Sequence, residues 1–115
     1  MRVLHVVAGA AETFCLDAIT ALAERGIERW VVCRPHAQTV ARLAQCAVPN
    51  QPFSFTPATR LYRGPGLMRD RAETWRADLV HAWMSRAASF IPQAMPCTVI
   101  AWLGGYYNLE AISCR

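Results

Sequence analysis

Three groups of residues have the types and the spacing for chemistry. The first is Gly104, Gly105, Tyr106, Tyr107 and Asn108, within the stretch WLGGYYNLE. Adjacent glycines let a backbone turn sharply and bring its N–H groups close to a ligand. Tyr106 and Asn108 add polar tips that can hold hydroxyls, and aromatic rings can stack on a flat ligand face. The competing reading is an ordinary glycine turn with packed tyrosines. The second group is Gly9, Ala10, Ala11, Glu12 and Thr13, which follow an apolar run. Free N–H groups at a helix start can hold phosphate. A plain strand-to-helix turn explains the same residues. A dinucleotide fingerprint needs G-x-G-x-x-G, which this segment lacks, so independent NAD binding is not expected.

The third group lies in HAWMSRAA, residues 81–88. Arg86 carries a guanidinium that matches the paired oxygens of a phosphate or carboxylate. A solvated helix residue is the equal alternative. Ser85 reads as a helix cap rather than a nucleophile, because no carboxylate–histidine set supports it. His81 sits inside an apolar run, where a hydrogen-bonded structural histidine is favoured over a catalytic one. No catalytic residue is assigned. With no D-x-D pair and no His/Cys cluster, neither a metal nor a bound cofactor is expected.

These groups need elements to position them. Arg2 to Ala8 is a continuous, β-branched apolar run, which predicts a strand covered on both faces. Cys15, Ala18, Ile19 and Leu22 fall on one face of a helix, with Gly26 suited to its C-terminal stop. Trp30 to Cys33 predicts a second strand, and Val40, Leu43, Ala44 and Ala47 a second helix. Phe53 and Phe55 mark a short third strand near an edge, since prolines flank it. Thr56 to Gly66 reads as a loop, because it holds Pro57, Gly64 and Pro65. Leu67, Arg71, Ala72 and Trp75 line a further helix. Leu79 to Trp83 is a fourth strand. Ser85 then caps a short helix that reaches Phe90. Thr98 to Trp102 is a fifth strand, read as buried, that enters the glycine loop.

Strand and helix alternate throughout, which predicts an α/β fold with a mainly parallel sheet between helix layers. In such sheets, ligands collect beyond the carboxyl ends of the strands. Gly9 to Thr13, Arg34 to His36, Trp83 to Arg86 and Leu103 to Asn108 should meet there.

Composition bounds the rest. A chain of 115 residues holds one domain and one core. With 54% hydrophobic and 17% charged residues, disorder is excluded and part of the surface is expected to meet a partner. The net charge of +4 comes from scattered arginines. The densest stretch, Arg60 to Arg76, is diluted by Asp70 and Glu73, so no nucleic-acid partner is expected. Five cysteines at wide spacings, with no C-x-x-C pair, read as mostly buried thiols in a reducing compartment. His5 and Glu12 interrupt the start too early for a secretion signal.

Four motifs taken in order, RVLHVVAGAAE, LAERGIERWVVCRP, ADLVHAWMSRAA and VIAWLGGYYNLE, resemble the amino-terminal half of a bacterial retaining glycosyltransferase of family 4, with the two-domain GT-B architecture. The likeness runs to Glu110. It implies a Rossmann-like three-layer domain over residues 1–115, the acceptor side of the enzyme, without the second domain that holds most of the nucleotide-sugar donor. The implied function is transfer of a sugar from a nucleotide sugar, the co-substrate, to a glycan or lipid-linked acceptor. The chain alone is expected to be inactive. A stand-alone α/β binding or interaction module is the alternative. By resemblance, Gly9, Ala10, Glu12, Gly104 and Gly105 face donor phosphate or sugar, and Ser85, Arg86, Tyr106 and Asn108 face the acceptor. Many relatives place a donor-contacting histidine where this chain has Leu103, which can neither donate a hydrogen bond nor move a proton. The resemblance also implies a cytoplasmic location at the inner membrane face, with peripheral membrane contact. A stop near Arg115 is expected to leave the sheet or its helix cover unfinished. A second-domain partner or self-association would cover that surface.

Overall fold

The computed structural model describes residues 1–8 and 13–102. In chain order these form β1 (Arg2–Val7), α1 (Thr13–Ala21), a 3-10 turn (Leu22–Arg25), β2 (Glu28–Cys33), α2 (Ala37–Gln45), β3 (Asn50–Pro52), α3 (Pro57–Tyr62), α4 (Gly64–Trp75), β4 (Leu79–Trp83), α5 (Met84–Ala88) and β5 (Thr98–Trp102). The strands make one sheet in the order β3-β2-β1-β4-β5, parallel at every pairing. The chain starts in the middle, builds outward to β3, then crosses back to β4. The expected α/β fold with a parallel sheet is what the chain adopts.

Burial follows the alternation of strand side chains. Leu4 and Val6 of β1, Val32 of β2, and Val80 and Ala82 of β4 face α4 and α5, where Met68, Ala72 and Ala87 cover them. Val7, Val31, Cys33 and Trp83 lie on the other face, against Cys15, Leu16 and Ile19 of α1 and Leu43 of α2. β1 is buried along nearly its whole length, which explains its unbroken apolar run.

Gly26 ends the 3-10 turn at φ 71°, where its N–H and that of Ile27 satisfy the carbonyls of Ala23 and Leu22. Ala47 does not extend α2. It lies past the helix end at φ 56°.

Four local expectations are corrected. The third strand is Asn50–Pro52 rather than the phenylalanines. Phe53 donates one last bond to Cys33 O at 2.8 Å, and Phe53, Phe55 and Phe90 then pack edge to face in the core. Their alternation records burial, not pairing. Thr56 to Gly66 holds α3 and the start of α4 rather than a loop. Pro57 and Pro65 both occupy first-turn positions, where a missing N–H costs nothing. Thr56 and Thr59 form a reciprocal cap on α3. Ser85 does not cap α5. Trp83 occupies that position, and the helix runs only to Ala88. Finally, β5 is exposed along its full length. Among the described residues it is an edge strand, and Val99, Ile100 and Trp102 are 39%, 45% and 39% exposed.

The cysteine expectation holds in part. Cys15 and Cys33 are buried, Cys97 is half-buried and Cys46 is exposed. Burial pushes the Cys33 thiol up to about 11, which keeps it protonated and inert.

Candidate functional site

The carboxyl ends of β1, β2, β3 and β4 open onto a cavity of about 330 Å³. It is lined by Ala8 after β1, Arg34 and Pro35 after β2, Ser54, Phe55 and Thr56 after β3, and Arg86 on α5. A smaller recess of about 80 Å³ adjoins it, sharing Phe55, Thr56 and Arg86 and adding Arg60 of α3. This edge lies beside the crossover between β1 and β4, where the strand order reverses and open parallel sheets bind their ligands.

Local geometry aims Arg86 into this space. The chain leaves β4 at Trp83 and turns at Met84 with φ 76°, a left-handed conformation that a side chain adopts only under strain. The sharp turn starts α5 directly above the strand end and puts Arg86 on its first turn. There Arg86 Nη2 donates to Phe55 O at 2.6 Å, tying α5 to the segment after β3. A guanidinium has five N–H donors, so this bond orients the group without exhausting it. Among the described residues the ion pairs are Arg2 with Glu28 and Arg42 with Asp17. Both lie away from the cleft, and among the described residues no carboxylate lines either cavity. The arrangement can therefore bind an anion. Among the described residues that line it there is no acid–base pair for bond breaking.

Of the residues singled out in the sequence, Arg86 is at the cleft and Ser85 is half-buried beside it on α5, outside the cavity lining. Gly9, Ala10, Glu12, Gly104, Gly105, Tyr106 and Asn108 lie outside the described residues. His81 is mid-strand, paired in register with His5 and Ile100, and its ring stacks on Trp83 at 4.3 Å. It is held among rings on the face opposite α4 and α5, not at the strand ends. Burial lowers its pKa. Sequence reasoning named neither Arg34 nor Arg60 as a ligand. Arg34 fell in a segment expected at the ligand edge, which was the one signal available.

No protein-family model matches the chain, and no curated protein matches it. Solved structures that resemble it include the following two. Glycinamide ribonucleotide transformylase 1 from Symbiobacterium toebii superposes with a TM-score of 0.59 at 18% identity, over 98% of this chain and 57% of that one. The glycotransferase of kitacinnamycin gives a TM-score of 0.49 at 16% identity, over 71% of this chain and 24% of that one. The chain thus spans 57% and 24% of the lengths of these two neighbours. The parallel sheet and the likeness to the transformylase together define a Rossmann-like α/β domain. A shared fold leaves the chemistry to the site.

Proposed function

We propose that this chain is the acceptor-side domain of a two-domain retaining glycosyltransferase, acting at the inner face of a membrane on a glycan or lipid-linked acceptor. The observation that carries it is the cleft at the carboxyl ends of the parallel strands. Arg86, from the motif most distinctive of the strand-four region, lines that cleft. The four-motif resemblance supplies the activity.

Retaining transfer from a nucleotide sugar needs a stabilised leaving diphosphate, an aligned acceptor hydroxyl and a cleft without water. Residues of this domain contribute the second and part of the third. They hold the acceptor at the strand ends, where a facing donor-binding domain would close over it. The donor diphosphate is stabilised mainly by that other domain. Among the described residues, no helix is long and apolar enough to cross a membrane. Contact with a membrane would therefore be peripheral for this part of the chain.

The test is a radiolabelled nucleotide-sugar screen against glycan and lipid-linked acceptors, run on the pure chain and on the chain joined to a donor-binding second domain. The pure chain should give no product, and the joined protein should. Sustained transfer by the pure chain would overturn the division of labour. A joined protein that binds acceptors but never transfers would leave a binding module, the alternative reading of this fold.

A further inference from the structure

The cleft at the strand ends has an unusual charge arrangement. Arg34 lines the main cavity, Arg60 the side recess, and Arg86 both. None has a carboxylate partner among the described residues, where only Arg2 and Arg42 have one. These arginines come from three separate stretches of chain, the ends of β2 and β3–α3 and the start of α5. Like charges gathered in one concave site repel until an anion joins them. Arg86 is already held in position by Phe55 O, so its orienting cost is met before a ligand arrives. Ser54 and Thr56 add hydroxyls along the same wall.

We propose that this cleft is a phosphoryl-binding site, with Arg34 and Arg86 clamping a phosphate group and Arg60 reaching a second phosphate or an attached polar group from the side recess. Guanidinium groups match phosphate oxygens in pairs, which favours a phosphate over a single-oxygen ligand. A cavity of about 330 Å³ is at the small end of ligand pockets, which run from roughly 300 to 1,000 Å³. It suits a phosphate or diphosphate with its first attached group, not a whole nucleotide sugar. The site rests on the acceptor-side reading only for the source of the phosphate. A phosphorylated lipid acceptor and a nucleoside diphosphate present the same chemistry here.

The experiment is titration calorimetry on the chain with inorganic phosphate, pyrophosphate, farnesyl phosphate and uridine diphosphate, with farnesol and uridine as neutral controls. Saturable binding of pyrophosphate is expected, weakening as salt rises. Farnesyl phosphate binding tighter than uridine diphosphate assigns the acceptor as source, and the reverse order assigns the donor. Arg34→Gln and Arg86→Gln should each weaken binding about tenfold or more, while the distant Arg25→Gln should not. Arg86→Gln also removes the bond to Phe55, so melting curves accompany each variant and Arg34→Gln decides the matter if Arg86→Gln unfolds. No saturable phosphate binding, or binding that Arg34→Gln leaves intact, overturns the site. The two readings fail separately. Phosphate binding lost with Arg34→Gln, in a joined protein that never transfers sugar, keeps the site and removes the glycosyltransferase. Full transfer with no phosphate binding does the opposite.

Discussion

Trp83 of β4 donates its indole N–H to His5 Nδ1 of β1 at 3.0 Å, and this bond sets the tautomer of a fully buried histidine. With Nδ1 accepting, the ring proton sits on Nε2. Among the described residues Nε2 has no hydrogen-bond partner. His81 lies directly across the ladder, with ring centroids 5.6 Å apart. Burial, then the neighbouring His81 and Arg29, hold the His5 pKa down to about 3. Arg29 itself is anchored to the carbonyls of Ile19 and Thr20. A neutral, tautomer-locked imidazole is thus built into the middle of the sheet.

That arrangement makes the fold acid-sensitive. The folded pKa of about 3 lies below the ordinary 6.5, so below pH 6.5 the unfolded chain binds a proton that the native chain refuses. The contribution is fully present above pH 6.5 and is lost as pH falls toward 3, reaching on the order of a few kcal/mol. His81, also lowered by burial, adds in the same direction. Denaturant unfolding at steps from pH 7.5 to 4.5 should show the decline before most carboxylates titrate. His5→Gln should flatten it. A flat profile in the original chain would show that His5 is solvated.

Trp83→Phe should cost about 1–3 kcal/mol, because it leaves His5 Nδ1 buried without its donor. Urea midpoints measure the loss. Nitrogen chemical shifts of His5 offer a second readout. In the original chain they should show a proton on Nε2, and in the variant a mixture of tautomers.

Two glycines of one helix should respond oppositely to alanine. A Cβ on Gly64 would meet Phe90 Cδ2 at 2.8 Å and Thr59 O at 2.9 Å, so Gly64→Ala must push α4 away from α3 and the aromatic cluster. A loss of roughly 1–3 kcal/mol is expected. A Cβ on Gly66 meets nothing within 4 Å, and Gly66→Ala should gain roughly 0.5–1 kcal/mol from helix propensity. Paired thermal melts give the comparison. Equal effects would contradict the packing of α4 against Phe90.

The exposed β5 edge should associate. Val99 shares the α5 side of the sheet with Val80, while Ile100 and Trp102 share the other face with His81 and Trp83. Large apolar side chains on an edge strand invite pairing. Sedimentation at several concentrations should show association, and Ile100→Lys should reduce it without lowering the melting temperature. A chain that stays monomeric at all concentrations would remove β5 as a sticky edge.

Much of the secondary structure was legible because it depends on neighbours in the chain. The mainly apolar runs at Leu79–Trp83 and Thr98–Trp102 mark strands with the bounds the structure shows. Alternation of strand and helix settled the parallel sheet, since short right-handed crossovers allow little else. The prolines misled where they were read as breakers, because only a helix start turns a missing N–H into an advantage. Arg86 lies at the strand ends, where its place after β4 puts it. Arg34 had only its place after β2 as a signal and Arg60 had none, for they are far apart in the chain and each alone looks like a solvated charge.

Alone, the sequence determined β1, β2, β4 and β5, the helices other than α3, and that the strands' carboxyl ends face one edge. Tertiary structure decided the strand order, the exposure of β5, the burial of His5 beside Trp83, and the placing of Arg34, Arg60 and Arg86 around two adjoining recesses. Periodicity is set by covalent neighbours and is written residue by residue. Convergence is set by which faces pack to bury apolar area, and that choice is made by the whole chain at once.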